Sequence, residues 1–252
     1  MISPGRDLPC RLGVLAFGDS ITNGGGELQW GVALQSWALW VARGLGLPFT
    51  SYAVDGAEVA DVVGQQIPAF ARDARYPSAR YDLGCLYIGV NDVREPHWDA
   101  SSFLAEHRRA LEFIRERSDR TLAVTAPLTL GRPPTGRTVR ELNTAVEGVA
   151  HELGALVVDL SSFGARNHVM ADRVHPTAFG QVAIAERALA VLERDGLAAR
   201  VRPSALISFQ TTGWGRLRAD WTYSYRSAKW LAVATAERSL TKRSARAGSP
   251  DG

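Results

Sequence analysis

The sequence predicts an α/β protein built on a parallel sheet. Three observations carry that prediction. Short apolar runs recur through the first 200 residues, and longer segments of helical period separate them. The first run, Leu12-Gly13-Val14-Leu15-Ala16-Phe17, is continuously apolar rather than alternating, as a strand buried on both faces must be. The composition, 46% hydrophobic and 22% charged over 252 residues, is that of a globular chain long enough for one large domain and an appendage.

The elements follow in order. The first strand covers about 12–18. Gln35 to Arg43 reads as a helix that stops in the stretch Gly44 to Pro48, where glycine and then proline end helices. Phe49 to Val54 is the second strand. Glu58 to Arg72 is helical, with a kink expected at Pro68 because proline lacks the N–H a helix needs. Tyr81 to Ile88 is the third strand. Ser102 to Glu116 is a helix whose apolar face holds Phe103, Leu104, Leu111 and Ile114. Thr121 to Ala126 is the fourth strand and Pro127 ends it. A Gly/Pro-rich loop covers 128–138. Val139 to Leu153 is a helix closed by Gly154, Ala155 to Leu160 is the fifth strand, 161–177 is irregular, and Ala178 to Arg194 is the last helix. No internal repeat interrupts this alternation.

Charge is divided unevenly. Residues 1–199 carry 19 Arg, no Lys and 23 acidic residues, a net −4. Residues 200–252 carry 8 Arg, 2 Lys and 3 acidic residues, a net +7. The basic character therefore belongs to the tail. Two cysteines, Cys10 and Cys85, are too few for a disulfide framework and show no metal-ligand spacing. Met1 to Arg11 has no apolar core of a secretory signal, and no run approaches the length of a membrane span, so a cytoplasmic protein is the expectation.

Four polar segments stand just after strands. Gly18-Asp19-Ser20 follows the first and Asp55-Gly56 the second. Gly89-Val90-Asn91-Asp92 follows the third, and Asp172-Arg173-Val174-His175 comes after the fifth. A parallel sheet brings all four to one edge, where open α/β sheets bind ligands. A hydroxyl, a glycine amide, an asparagine amide and an Asp–His pair on that edge are the groups acyl transfer requires.

In these blocks the sequence resembles the SGNH hydrolases, also called GDSL esterases and lipases, over roughly residues 10–195. The resemblance implies a flavodoxin-like three-layer sandwich, about five parallel strands with helices on both faces. It also implies a serine esterase that hydrolyses small-acyl, lipid or carbohydrate esters through an acyl-serine intermediate, with no metal and no cofactor. Ser20 would be the nucleophile, His175 the general base and Asp172 its orienting partner. The backbone N–H groups of Ser20 and Gly56 and the side-chain amide of Asn91 would form the oxyanion hole. Asp19 is expected to hold the turn and Asp92 to support the site from behind. Transfer of the acyl group to an acceptor other than water uses the same residues. A non-catalytic binding module on the same scaffold is the alternative from another class. One departure from the family pattern is Ser51, where the second block usually opens with asparagine.

The tail, 200–252, has no counterpart in that family. Trp214, Leu217, Trp221, Ala228 and Leu231 recur at helical steps, with Arg216, Arg218, Arg226, Lys229 and Arg238 between them. Such a segment is read as a basic, aromatic, partly helical extension with a disordered end at 243–252. It suits return onto the domain, peripheral contact with an anionic membrane, or a partner protein. No nucleic-acid motif is present.

Overall fold

The computed structural model describes residues 12–73, 80–131, 136–209, 211–218, 220–229 and 232. Five parallel strands form one sheet: β1 (Val14–Gly18), β2 (Phe49–Ser51), β3 (Tyr81–Tyr87), β4 (Ser118–Val124) and β5 (Leu156–Val158). Their order is β2-β1-β3-β4-β5. This is the flavodoxin-like order, with its crevice between β1 and β3. Val14 pairs with Phe49 on one side and Leu83 on the other. β1 and β3 are buried along their whole length, in keeping with their continuous apolar sequence.

The helices are α1 (Ser20–Asn23), α2 (Trp37–Leu45), α3 (Val59–Asp61), α4 (Ile67–Asp73), α5 (Ala100–Arg117), α6 (Gly136–Leu153) and α7 (Ala178–Arg194). α2 and α7 pack together against one face of the sheet, and α4, α5 and α6 cover the other. On the α4–α5 face, Phe17 meets Tyr52, Phe70 and Phe113 at ring-centroid distances of 5.7, 6.2 and 6.0 Å. On the α2 face, Trp37 packs on Tyr87, and its indole N–H reaches Thr22 Oγ1 at 3.2 Å. Such aromatic contacts contribute about 0.5–1.5 kcal/mol each beyond area burial. Cys85 is buried in β3, where burial pushes its thiol pKa far up. Cys10 lies outside the described residues.

The departures from expectation have local causes. The kink expected at Pro68 takes the form of a π-helical turn, Val62–Gln66, joining α3 to α4. The missing Pro68 N–H is accommodated by widening the turn before it. β5 ends at Val158 rather than Leu160 because the Thr125 hydroxyl takes the next ladder bond, accepting from Leu160 N at 2.8 Å. β4 starts at Ser118, directly on the end of α5, where Ser118 Oγ donates to Ile114 O. Within 161–177 a small hairpin forms, pairing Val169 with Pro176, and Met170 N donates to His175 O at 2.9 Å.

The chain beyond α7 returns along the domain. Arg200 N and Val201 N donate to Gly44 O. Residues 213–218 and 220–229 are helical and lie against the loops at 27–30 and 166–171. Two ion pairs hold this tail helix: Arg166 to Asp220 at 3.0 Å and Arg226 to Glu27 at 2.7 Å. Phe209 packs on Phe179 and Trp30. Trp30 occupies a left-handed conformation, φ +49°, in a tight turn closed by Val32 N to Gln29 O. That conformation costs a non-glycine residue roughly 1–2 kcal/mol. Leu231, Arg238 and residues 243–252 lie outside the described residues.

No helix among the described residues is long and apolar enough to cross a membrane.

Candidate active site

β1 ends at Gly18, and the chain turns at once into α1. Asp19 caps that helix, accepting from Ile21 N at 2.9 Å. Ser20 is therefore the first residue of a helix at the carboxyl edge of the sheet, 9% exposed. Its hydroxyl lies 3.0 Å from Nε2 of His175. Nδ1 of His175 lies 2.8 Å from Asp172 Oδ2, and the other carboxylate oxygen accepts from Val174 N and His175 N at 2.9 and 3.2 Å. One carboxylate thus fixes both the ring and the backbone of its own short loop.

Gly56 and Asn91 line the same open cavity as Ser20 and His175, together with Gly25, Gly26, Asp55 and Met170. The cavity measures about 420 Å³. Gly56 turns the chain after β2 at φ +76°, a left-handed conformation that favours glycine. Asn91 Nδ2 donates one N–H to Ala57 O at 2.9 Å, which fixes the amide and leaves its second N–H to spare. Asp92 Oδ1 accepts from Val59 N at 3.1 Å and so ties the third polar segment to the second. Asn23 Nδ2 donates to Asp55 Oδ1 at 2.9 Å and ties the first to the second. The structure therefore brings all five candidate residues of the sequence to one place.

Electrostatics sharpen the arrangement. The hydrogen bond to Asp172 raises the His175 pKa; burial and the Arg94 guanidinium pull the other way without cancelling it. Burial works to raise the Asp172 pKa, but its hydrogen bonds to His175 and Val174 outweigh that and hold it below the usual carboxylate range. Asp19 is fully buried, and burial lifts its pKa to about 7 against the N–H bond from Ile21. Asp92 is raised to about 6, again by burial.

Two buried amides escaped the sequence reading. Gln66, on the π-helical turn, accepts from Gly18 N at 3.1 Å and donates to Gly18 O at 2.8 Å. Gln181 on α7 accepts from Trp37 N and donates to Ile21 O and Gly25 O, both at 3.0 Å. Between them they satisfy the backbone on both sides of Ser20, where the sheet no longer can. Gln181 has a readable signal, a polar residue among the apolar positions of α7. Ser51 supplies only a local bond, accepting from Ala53 N at 3.3 Å.

Other histidines stand apart. His107 is buried on α5 against Phe103, and burial lowers its pKa to about 4. His97 and Trp98 line a neighbouring depression rather than the cavity of Ser20. Arg137 is paired with Glu141 at 2.9 Å.

A family model described as GDSL-like lipase/acylhydrolase matches residues 16–183, from the middle of β1 into α7. The chain belongs to that family. It is a serine hydrolase acting on carboxylic esters. No curated protein matches it significantly. Among solved structures it is similar to Axe2, an acetylxylan esterase from Geobacillus stearothermophilus, at 22% identity and TM-score 0.54, over 72% of this chain and 96% of that one. It is also similar to LAE5, an α/β hydrolase from the metagenome of Lake Arreo, at 18% identity and TM-score 0.55, over 71% and 94%. At these identities the likeness is one of fold. Three solved forms of Axe2 are described as catalytic mutants, with a serine, an aspartate or a histidine replaced.

Proposed function

We propose that Ser20, His175 and Asp172 form the catalytic triad, and that the N–H groups of Ser20 and Gly56 and the Asn91 amide form the oxyanion hole. The observation that carries this reading is the unbroken hydrogen-bond chain Ser20–His175–Asp172 at 3.0 and 2.8 Å. Ser20 Oγ attacks the ester carbonyl carbon as Nε2 takes its proton. The carbonyl oxygen becomes an oxyanion among the three donors. The alcohol leaves with the proton held on Nε2, and Ser20 keeps the acyl group. Water then loses a proton to Nε2 and attacks the acyl carbon, releasing the acid and restoring Ser20. The same three residue types are replaced in the catalytic mutants of Axe2. A fluorophosphonate probe labels wild-type protein once per chain and p-nitrophenyl acetate is turned over; Ser20→Ala loses both. Labelling that survives in Ser20→Ala assigns the nucleophile elsewhere.

The pH dependence follows from the raised pKa of His175. The ring must be neutral to accept the serine proton, so kcat/KM falls as pH drops through that raised value. Asp172→Asn removes the group that raises it. The acidic limb then moves to lower pH while the plateau drops. A kcat/KM profile flat from about pH 5 to 9 would exclude a histidine base.

The catalytic unit on this reading is residues 1–199, and 200–252 is an accessory extension. The outer side of the tail helix carries Trp214, Leu217, Trp221 and Tyr225, exposed by 77, 59, 77 and 65%. Their spacing makes one stripe along the helix. Together with the net +7 of the tail, the stripe suits peripheral contact with an anionic bilayer. Full-length protein is expected to co-sediment with vesicles containing phosphatidylserine and to be released by salt, since the attraction is screened within about 8–10 Å. Trp214→Ser combined with Trp221→Ser abolishes the co-sedimentation. Unchanged sedimentation in that variant removes the stripe from the interaction.

A further inference from the structure

Beside the catalytic cavity lies a second cleft of about 300 Å³, roofed by the tail helix. Its floor is the loop 27–30, one wall is the 166–171 loop with Thr177, and the tail helix contributes Gly215, Arg218, Thr222, Tyr223 and Arg226. Two walls are continuous with the catalytic cavity. Met170 lines both spaces, and Gly25 and Gly26, which line the first, run directly into Glu27 in the second.

The side on which this cleft lies has a chemical meaning. In the mechanism proposed above, Nε2 of His175 gives its proton to the departing alcohol oxygen. The alcohol must therefore leave on the histidine side, away from Gly56 and Asn91. The hairpin that carries His175 borders both spaces: Met170 N holds His175 O, and Val169, which pairs with Pro176, lines the cleft.

Its charges are also unequal. Arg166 pairs with Asp220 and lies 5.2 Å from the ring centroid of Tyr223. Arg226 pairs with Glu27, the one acid among the described residues lining the cleft. Arg166 and Arg226 thus carry ion pairs, and Arg218 is the guanidinium of the cleft lining without an acidic partner among the described residues. Trp30, held in its left-handed turn, lines it as well. Strain of this kind persists where the surroundings fix a side chain for packing or for binding.

We infer that this cleft is the subsite for the alcohol portion of the substrate, and that it takes an alcohol bearing a negative charge, read by Arg218. The inference rests on the esterase reading above and adds the substrate's leaving group to it. A planar guanidinium matches phosphate or carboxylate oxygens in pairs, so the shared chemistry is an oxyanion set a few bonds from the ester.

Three acetates test it: 1-acetylglycerol, 1-acetylglycerol 3-phosphate and O-acetylated glyceric acid. The wild-type enzyme is expected to favour at least one charged ester over the neutral one in kcat/KM; whichever it favours identifies phosphate or carboxylate as the source. Arg218→Ala lowers that charged-to-neutral ratio by about tenfold or more. Arg218→Glu brings it below one, and Arg218→Lys keeps much of it. Arg218 is exposed on the helix surface, so these variants test recognition rather than folding. A wild-type ratio of one or less for both charged esters, or a ratio unchanged in both Arg218→Ala and Arg218→Glu, overturns the inference. Failure of the esterase reading looks different: p-nitrophenyl acetate and all three acetates are then left intact by the wild-type protein.

Discussion

His175→Ala is expected to lower kcat on p-nitrophenyl acetate by roughly 10⁴-fold or more, with a well-folded protein and little change in KM. The size follows from what the ring does. Ser20 Oγ is a poor nucleophile while it keeps its proton, and Nε2 at 3.0 Å is the acceptor in place to take it. Asp19, Asp92 and Asp55, the other carboxylates nearby, are turned to other work: Asp55 Oδ1 accepts from Asn23 Nδ2 at 2.9 Å. Asp19 is fully buried and caps α1 through Ile21 N, and Asp92 holds Val59 N. Neither Asp19 nor Asp92 lines the cavity with Ser20; Asp55 does, beside Gly56 and on the oxyanion side rather than the histidine side. The members of the proposed triad act as one unit on that reading, so Ser20→Ala combined with His175→Ala should be scarcely slower than either change alone. A His175→Ala enzyme retaining a tenth of wild-type kcat would mean that another base reaches Ser20. Additive losses in the double variant would mean that the two residues act separately.

Most of the fold was legible because its signals are local. β1 and β3 are apolar without a break, and strands buried on both faces leave little else for such runs to be. Helix α7 begins at Ala178 and ends at Arg194, as its pattern and the following Gly196 indicate. The convergence of the candidate site was legible for a related reason: four polar segments each follow a strand, and a parallel sheet delivers every such segment to one edge. What escaped the sequence depends on distant partners. Gln66 matters because a π-helical turn aims it at Gly18, 48 positions away, and nothing in Val62–Gln66 announces that turn. Residues 213–229 show the limit most clearly. Their amphipathic period was readable, but a period does not say what the polar face meets. Glu27, 199 positions from Arg226, answers that question, and with it the cleft beside the proposed triad comes into being.

Asn91→Ala is expected to lower kcat by about 10²–10³-fold while leaving KM within a few-fold of wild type. The amide has two N–H groups. One is committed to Ala57 O at 2.9 Å, and that bond joins the loop after β3 to the segment after β2. The other is free to meet the oxygen that becomes negative as Ser20 attacks. A neutral carbonyl gains little from that donor, whereas an oxyanion gains a good deal, so the loss falls on the transition state rather than on binding. The Ala57 bond also has a structural share, and the variant must be separated from simple loosening. Asp92 on Val59 N still holds the same two segments together, and Asn23 on Asp55 still ties the second to the first, so the melting temperature should fall by only a few degrees. Asn91→Asp sharpens the comparison. It keeps the shape, puts a negative charge where the oxyanion forms, and should be slower than Asn91→Ala. Fluorophosphonate labelling of Ser20 should slow in both variants, since the phosphoryl oxygen occupies the same donors. If kcat holds and KM alone rises in Asn91→Ala, the amide binds substrate but does not stabilise the oxyanion. The burden then falls on the backbone N–H groups of Ser20 and Gly56.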